Sequence, residues 1–303
     1  MNKVKFILFA AITFGLLSFC GCRKSGTALP PPNNSQNVEE KQESGDPDGL
    51  KLMSFNVRYK NNDDTGEKNW SMRCPAICDM LNAQKPLLMG VQECLKVQRD
   101  DILGVCKDYG AIGVGRDDGK NSGEMMAIFY RKADVTIEQW GTFWLSKTPD
   151  VPSKDWNSAC KRCATWARIL INSTGKEIFY VNTHLDHKNG RPEQMAVLEE
   201  KIAELNTGHL PMFLSADFNV EQNNSLFDNV QTYMYNVRKM APVTDTRNSY
   251  NAWGSAGSAK IIDIIFYSMT GIKALKYETV TNRYGGLWYI SDHYPIYGVF
   301  ELL

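Results

Sequence analysis

Again and again along this chain an apolar run ends on a side chain able to bind a metal or move a proton. Leu50 to Arg58 carries Asn56, Leu87 to Val91 leads into Gln92-Glu93, Ile178 to Thr183 leads into His184, and Met212 to Ser215 leads into Asp217-Phe218-Asn219. Short apolar runs rich in β-branched and aromatic residues read as buried strands. Met125 to Tyr130 and Thr165 to Ile171 are two more strands, and Ser71 to Asn82, Val97 to Val105 and Glu193 to Leu205 have helical spacing. Such a chain suits an α+β or α/β domain whose strand ends converge on one site.

The C-terminal part repeats the pattern most sharply. Asp263 interrupts the run Ile261-Ile262-Asp263-Ile264-Ile265-Phe266, and a carboxylate among isoleucines is costly unless something pairs with it. Asp292-His293, just before the strand Ile296 to Phe300, supplies a partner. An Asp holding a His fixes the imidazole tautomer and makes it a better base. Read alone, these residues fit a local cap and an ordinary loop histidine equally well.

The N-terminus has a different character. Lys3 and Lys5 precede an apolar run, Phe6 to Phe19, of signal-peptide length, which ends at Cys20-Gly21-Cys22. This resembles a bacterial lipoprotein signal (residues 1–22) with Cys22 as the lipidated residue. Residues 23–49, rich in Pro, Asn, Ser, Gln and Glu, lack the apolar surface to fold and read as a tether. Residues 50–303 then make one domain. The 34 basic and 34 acidic residues balance, and no basic block marks a strong duplex binder. Cys160 and Cys163 have the spacing of a redox pair or half a zinc site, but no second half lies nearby.

Taken in order, Ser54-Phe-Asn-Val57, Val91-Gln-Glu93, Asn182-Thr-His184, Ala216-Asp-Phe-Asn219, Ile262-Asp263 and Ser291-Asp-His293 resemble the endonuclease/exonuclease/phosphatase (deoxyribonuclease I-like) superfamily. Phe143-Trp-Leu-Ser146 and Arg162-Cys-Ala-Thr-Trp-Ala-Arg168 are similar to a bacterial branch of it. The resemblance implies a four-layer α/β/β/α sandwich, two packed mixed sheets flanked by helices, with the site between the sheets. Ala216 stands where that family usually has glycine.

The resemblance also implies a metal-dependent phosphoesterase. Asn56, Glu93 and Asp292 are the expected ligands of Mg²⁺, with Mn²⁺ as a substitute; oxygen donors are what such hard cations take. His184, Asp217, Asn219, Asp263 and His293 are the expected catalytic set. His293, oriented by Asp263, or else Asp217, takes the proton of the attacking water; His184 stabilises developing charge or protonates the leaving group. Arg162 is the expected substrate contact. The expected substrate is a small or surface-displayed phosphoester, phosphodiester or phosphomonoester. A secreted nuclease acting on DNA or RNA and an inactive binding lipoprotein are the alternatives. A monomer held in the bacterial cell envelope by its lipid anchor completes the expectation.

Overall fold

The computed structural model describes residues 46–255 and 257–303. The signal with Cys22, and the tether apart from residues 46–49, lie outside the described residues. Twelve strands form two six-stranded sheets. The first holds β1 (Leu50–Asn56), β2 (Leu88–Cys94), β3 (Tyr109–Ile112), β4 (Met125–Arg131), β11 (Ile272–Thr279) and β12 (Ile296–Leu302), in the order β11-β12-β1-β2-β4-β3. The second holds β5 (Val135–Trp144), β6 (Cys163–Ile171), β7 (Lys176–His184), β8 (Met212–Asp217), β9 (Met234–Asn236) and β10 (Asp263–Ser268), in the order β5-β6-β7-β8-β10-β9. Both are mixed: β1 runs parallel to β2 and β7 to β8, and the other pairs are antiparallel.

Helices α1 (Trp70–Gln84) and α2 (Lys96–Val105) cover the first sheet, and α3 (Arg191–Leu205) covers the second; α4 (Val237–Met240) is a single turn. Strand periodicity builds the layers. On β1, Leu52 points between the sheets, to Leu88, Ile178, Phe213 and Phe300, while Met53 and Phe55 point outward to Ile77, Met80 and Leu81 of α1. Phe179 and Val181 of β7 face Leu198 and Ile202 of α3. Strands covered on both faces read as continuous apolar runs, which is why they stand out in the sequence.

The four strands that no apolar run announces, β3, β5, β9 and β11, are the four edges of the two sheets. An edge strand is only partly covered; β5, for example, exposes Thr136, Glu138, Gln139 and Trp140.

The apolar interior between the sheets gives way to a polar seam beneath the strand ends. Asn182 donates to Val91 O and Ala127 O of the opposite sheet at 3.0 and 2.9 Å, and its Oδ1 accepts from Gln92 Nε2 at 2.7 Å and Ser215 Oγ at 3.1 Å. Tyr180 and Ser215 hydroxyls add a 2.8 Å bond. Gly90 sits against this seam, and a Cβ there would run into Ser215 Oγ, Asn182 Oδ1 and Tyr180 OH. The Asn182 amide is therefore fully used in the only geometry that lets it be buried.

Candidate active site

The side chains at the strand ends share one cleft of about 760 Å³, lined by Arg58, Glu93, Arg116, Glu124, Arg162, His184, His187, Asp217, Asn219, Tyr250, Asp292 and His293 among others. Strand register puts three of them in a row. His184 of β7 is level with Asp217 of β8, and Asp217 is directly opposite Asp263 of β10. His293 follows from the loop before β12, its Nδ1 2.8 Å from Asp263 Oδ2 and its Nε2 3.7 Å from Asp217 Oδ2. Asn56, at the end of β1, donates Nδ2 to Asp217 Oδ2 at 3.0 Å and to Glu93 Oε1 at 3.1 Å.

Backbone strain aims part of this set. The β2–β4 register shifts between Val91 and Cys94, and at that bulge Glu93 has φ 58°. Arg58 and Asn219 carry φ 56° and 54°. Left-handed backbone is uncommon outside glycine and concentrates at functional sites. A bulge turns a side chain off its regular face, which is how Glu93 reaches the cleft. Loops are fixed from behind by Arg73 of α1, fully buried, which donates to Val57 O, Lys68 O, Arg58 O and Ile290 O at 2.6 to 3.3 Å. The methyl of Ala216 packs in the α3-side core, away from the cleft.

Burial and charge set the protonation states. Burial pulls the His293 pKa down, but the charges of Asp263 and Asp217 and the Asp263 hydrogen bond outweigh it and lift it to about 10. Burial and the neighbouring Asp263 charge push Asp217 up to about 7. At neutral pH His293 thus keeps its proton, and Asp217 is the group placed to accept one; of the two bases expected from the sequence, the electrostatics favour Asp217.

His184 goes the other way: burial, then the charges of Arg162 and Arg116, hold its pKa well below the ordinary value. Its Nε2 accepts from Asn219 Nδ2 at 2.9 Å, an amide oriented by its bond to Leu185 O. The same Nε2 lies 3.3 Å from Asp217 Oδ2. A neutral imidazole stabilises developing charge by donating a hydrogen bond.

Arg162 is 3% exposed. Its Nε pairs with Asp186 Oδ2 at 3.3 Å and its Nη2 lies 3.3 Å from His187 Nδ1. It is thus both a structural ion pair and part of the cleft wall. Two neighbours escaped the sequence reading, Arg116 and Glu124, joined at 2.6 Å. Burial and the Glu93 charge push Glu124 up to about 7. They close a hairpin loop, Arg116-Asp-Asp-Gly-Lys-Asn-Ser-Gly-Glu124, whose glycines and charges were its only signal because its first strand, β3, is an edge. Buried Nδ1 of His184, Nη1 of Arg162 and Nε of Arg116 have no hydrogen-bond partner among the described residues. Each such orphan costs about 1–3 kcal/mol.

Two groups fit a metal. Asp217, Asp263 and His293 offer ligand atoms within 4.8 Å of one another and could hold an ion. The hydrogen bond between His293 Nδ1 and Asp263 Oδ2 already commits two of those side chains to each other. Glu93 and Asp292 are the oxygen-only alternative. Burial raises the Asp292 pKa, and the Glu93 charge raises it further, so the two carboxylates repel across the cleft with Arg58 Nη1 3.8 Å from Asp292. Two neighbouring carboxylates of this kind suit a hard divalent cation. Asn56 Oδ1 accepts from Arg58 N at 2.9 Å, which leaves one lone pair for such an ion.

Of the cysteines, Cys160 alone among the described residues lines the cleft. The six among the described residues are free, and Cys74, Cys78 and Cys106 pack together behind the first sheet. A separate cavity of about 490 Å³ beside Trp70, Cys74 and Val105 contains none of the cleft residues. Among the described residues no helix is long and apolar enough to cross a membrane.

Comparison with known proteins places this arrangement. A solved endonuclease/exonuclease/phosphatase from Bacteroides vulgatus is 32% identical, covers 85% of this chain and 100% of its own, and superposes with a TM-score of 0.79. The chain belongs to the endonuclease/exonuclease/phosphatase family. Another structure similar to it is a mannosyl-6-phosphatase of Bacteroides thetaiotaomicron, 32% identical over 84% of this chain and 100% of that one, TM-score 0.77. D. rerio TDP2, solved with a single-strand DNA product, shares the fold at 17% identity, over 84% of this chain and 100% of that one, TM-score 0.67. No family model matches the chain. Endonucleases, exonucleases and phosphatases all cleave phosphoester bonds, and the chemistry common to this family is phosphoester hydrolysis.

Proposed function

We propose that the chain hydrolyses a small phosphoester by attack of water on phosphorus, assisted by a divalent cation held by Glu93, Asp292 and Asn56, with Mg²⁺ as the expected ion. The observation that carries the reading is the position of Asp217, within 3.7 Å of His293 Nε2 and 3.0 Å of Asn56 Nδ2 on the cleft floor. A carboxylate whose pKa lies near neutrality is well matched to accepting the proton of a nucleophilic water. Asn56 holds Asp217 in place by donating to it, and His293, charged and fixed by Asp263, faces it at 3.7 Å. The new P–O bond forms from the water oxygen as the bond to the leaving alcohol breaks, and the alcohol departs with a proton from solvent. His184 and Arg162 stabilise the charge gathering on the phosphoryl oxygens. A bound cation would neutralise phosphate charge and polarise a phosphoryl oxygen.

The balanced charge and the missing basic block favour a small substrate, such as a sugar phosphate, over a long duplex. The 32% identical mannosyl-6-phosphatase is in keeping with that choice. The test measures turnover of aryl phosphoesters, sugar phosphates and plasmid DNA at moderate salt, with Mg²⁺ and with chelator. Turnover of a small phosphoester that chelator abolishes is expected. Efficient plasmid nicking without turnover of small phosphoesters would overturn the substrate choice in favour of a nuclease, and no turnover of any would leave a binding protein. We further propose that Cys22 anchors the domain to the cell envelope; Cys22→Ser should release the protein from the membrane fraction.

A further inference from the structure

Side-chain bonds alone do little to fix the Asp263–His293 pair. Asp263 Oδ2 meets His293 Nδ1 at 2.8 Å, while the buried Oδ1 has no hydrogen-bond partner among the described residues. Asp263 is also the first residue of β10, so the sheet seats it from one side only. His293 stands in a loop before β12. Where carboxylate and imidazole come to rest therefore depends on how their two backbones are held.

Three consecutive residues from outside both elements, Ser249-Tyr250-Asn251, hold them. Ser249 is fully buried, and its Oγ accepts from Asp263 N at 3.0 Å and from Ile262 N at 3.1 Å. Two successive N–H groups thus converge on one hydroxyl just where β10 begins. Ser249 O accepts from Tyr294 N at 2.7 Å, and Asn251 N donates to Asp292 O at 2.8 Å. The residues on either side of His293 are therefore tied to the same segment, and Asn251 Nδ2 adds a bond to Ser291 O at 3.2 Å. Between these ties the Tyr250 ring packs on the His293 imidazole, centroids 4.9 Å apart and planes at 60°. The segment is itself fastened to Lys260, by Tyr250 N to Lys260 O at 2.9 Å and Lys260 N to Tyr250 O at 3.2 Å.

We infer that Ser249-Tyr250-Asn251 is a clip that positions the Asp263–His293 pair, with the Ser249 hydroxyl as its decisive atom. The inference rests on the phosphoesterase reading and adds positioning residues to it. Ser249 does not line the cleft, so it acts through Asp263 and touches no substrate. Its hydroxyl serves two buried donors at once, and removing it takes the acceptor from both Ile262 N and Asp263 N. The start of β10 is then free to shift, and the carboxylate shifts with it. A misplacement of about 1 Å in a reacting group can cost ~10²-fold in rate.

The test compares Ser249→Ala with Ser249→Cys, which nearly keeps the volume but replaces the hydroxyl by a weak acceptor. The first readout is the proton NMR signal of His293 Nδ1–H in its bond to Asp263, assigned by its absence from His293→Ala. Both variants should shift or lose that signal, Ser249→Ala more than Ser249→Cys. The second readout is steady-state kinetics on an aryl phosphoester. There kcat should fall at least ~10-fold in Ser249→Ala and less in Ser249→Cys, with KM unchanged. A signal missing from the wild-type protein or unmoved in the variants, a wild-type kcat, or a loss carried by KM would each overturn the clip. A hydroxyl that only stabilises the fold would lower the melting temperature and move neither the signal nor kcat. If Ser249→Ala does not fold, Ser249→Cys decides on the same criteria. If the signal moves as expected but the wild-type protein turns over no phosphoester, the clip stands and the hydrolase reading fails.

Discussion

His293 and Asp263 meet through a single 2.8 Å bond between elements 30 positions apart, a buried imidazolium facing a buried carboxylate. The pair also anchors the cation that Asp217 faces at 3.7 Å. Asp263→Asn should therefore lower turnover by at least ~10²-fold, with little change in KM, because the charge that keeps His293 protonated and oriented is lost. Steady-state kinetics on a variant with wild-type circular dichroism checks this, and a wild-type kcat would remove Asp263 from the site.

His293→Ala and Asp217→Ala should each cost at least ~10²-fold in kcat, and the double variant should cost little more than the worse single one. Groups that act on one proton as a unit are not additive. Strictly multiplicative losses would show that the two residues act in separate steps.

Glu93→Gln addresses the cation. It keeps the side-chain shape and an oxygen for Tyr59 N, now 3.1 Å away, but removes the charge that repels Asp292. The Mg²⁺ concentration for half-maximal activity should rise at least ~10-fold, more than KM for substrate changes. An unchanged metal requirement would move the ion to Asp217, Asp263 and His293.

Asp186 sets an acid limit on stability. Burial would raise its pKa, but backbone N–H bonds from Lys188, Ala159 and Cys160 and the Arg162 charge outweigh it and hold the carboxyl at about 2. An unfolded Asp titrates near ~4. The folded-state pKa is the lower one, so the stabilisation is complete above about pH 5 and is lost as pH falls through about 2. Asp186→Asn should show a lower melting temperature at pH 7 and a shallower decline between about pH 5 and 2. It should also weaken activity by freeing Arg162.

Asn182→Ala removes the amide that links the two sheets through Val91 O, Ala127 O, Gln92 and Ser215. Several buried groups lose their partners at once, so a cost of about 2–4 kcal/mol is expected, read from urea midpoints at constant m.

What the chain discloses in advance follows from coverage. Strands sandwiched between two layers, such as β1, β8 and β10, are apolar on both faces, so their ends and the polar residues there are plain in the sequence. Asn56, Glu93, His184, Asp217, Asp263 and His293 all sit at such ends or in loops beside them, and folding brings them to one cleft. Arg116 and Glu124 lie ahead of a strand, in the loop that leads into β4 from the edge strand β3, and not at the end of an apolar run. Asn182 looks like part of a catalytic motif, yet it works as a cross-sheet tie. Protonation states were unreadable for another reason. Only the packing of Asp217, Asp263 and Asp292 around one ring fixes the charge on His293.

Arg73 has a consequence for how this cleft can change over generations. Its four hydrogen bonds all end on backbone carbonyls, those of Val57, Arg58, Lys68 and Ile290, and on none of the side chains there. The grip is indifferent to what those positions carry. Exchanging Arg58 or Lys68 leaves these four bonds intact, so the rim of the cleft is open to new substrates while this part of the frame beneath it stays constant.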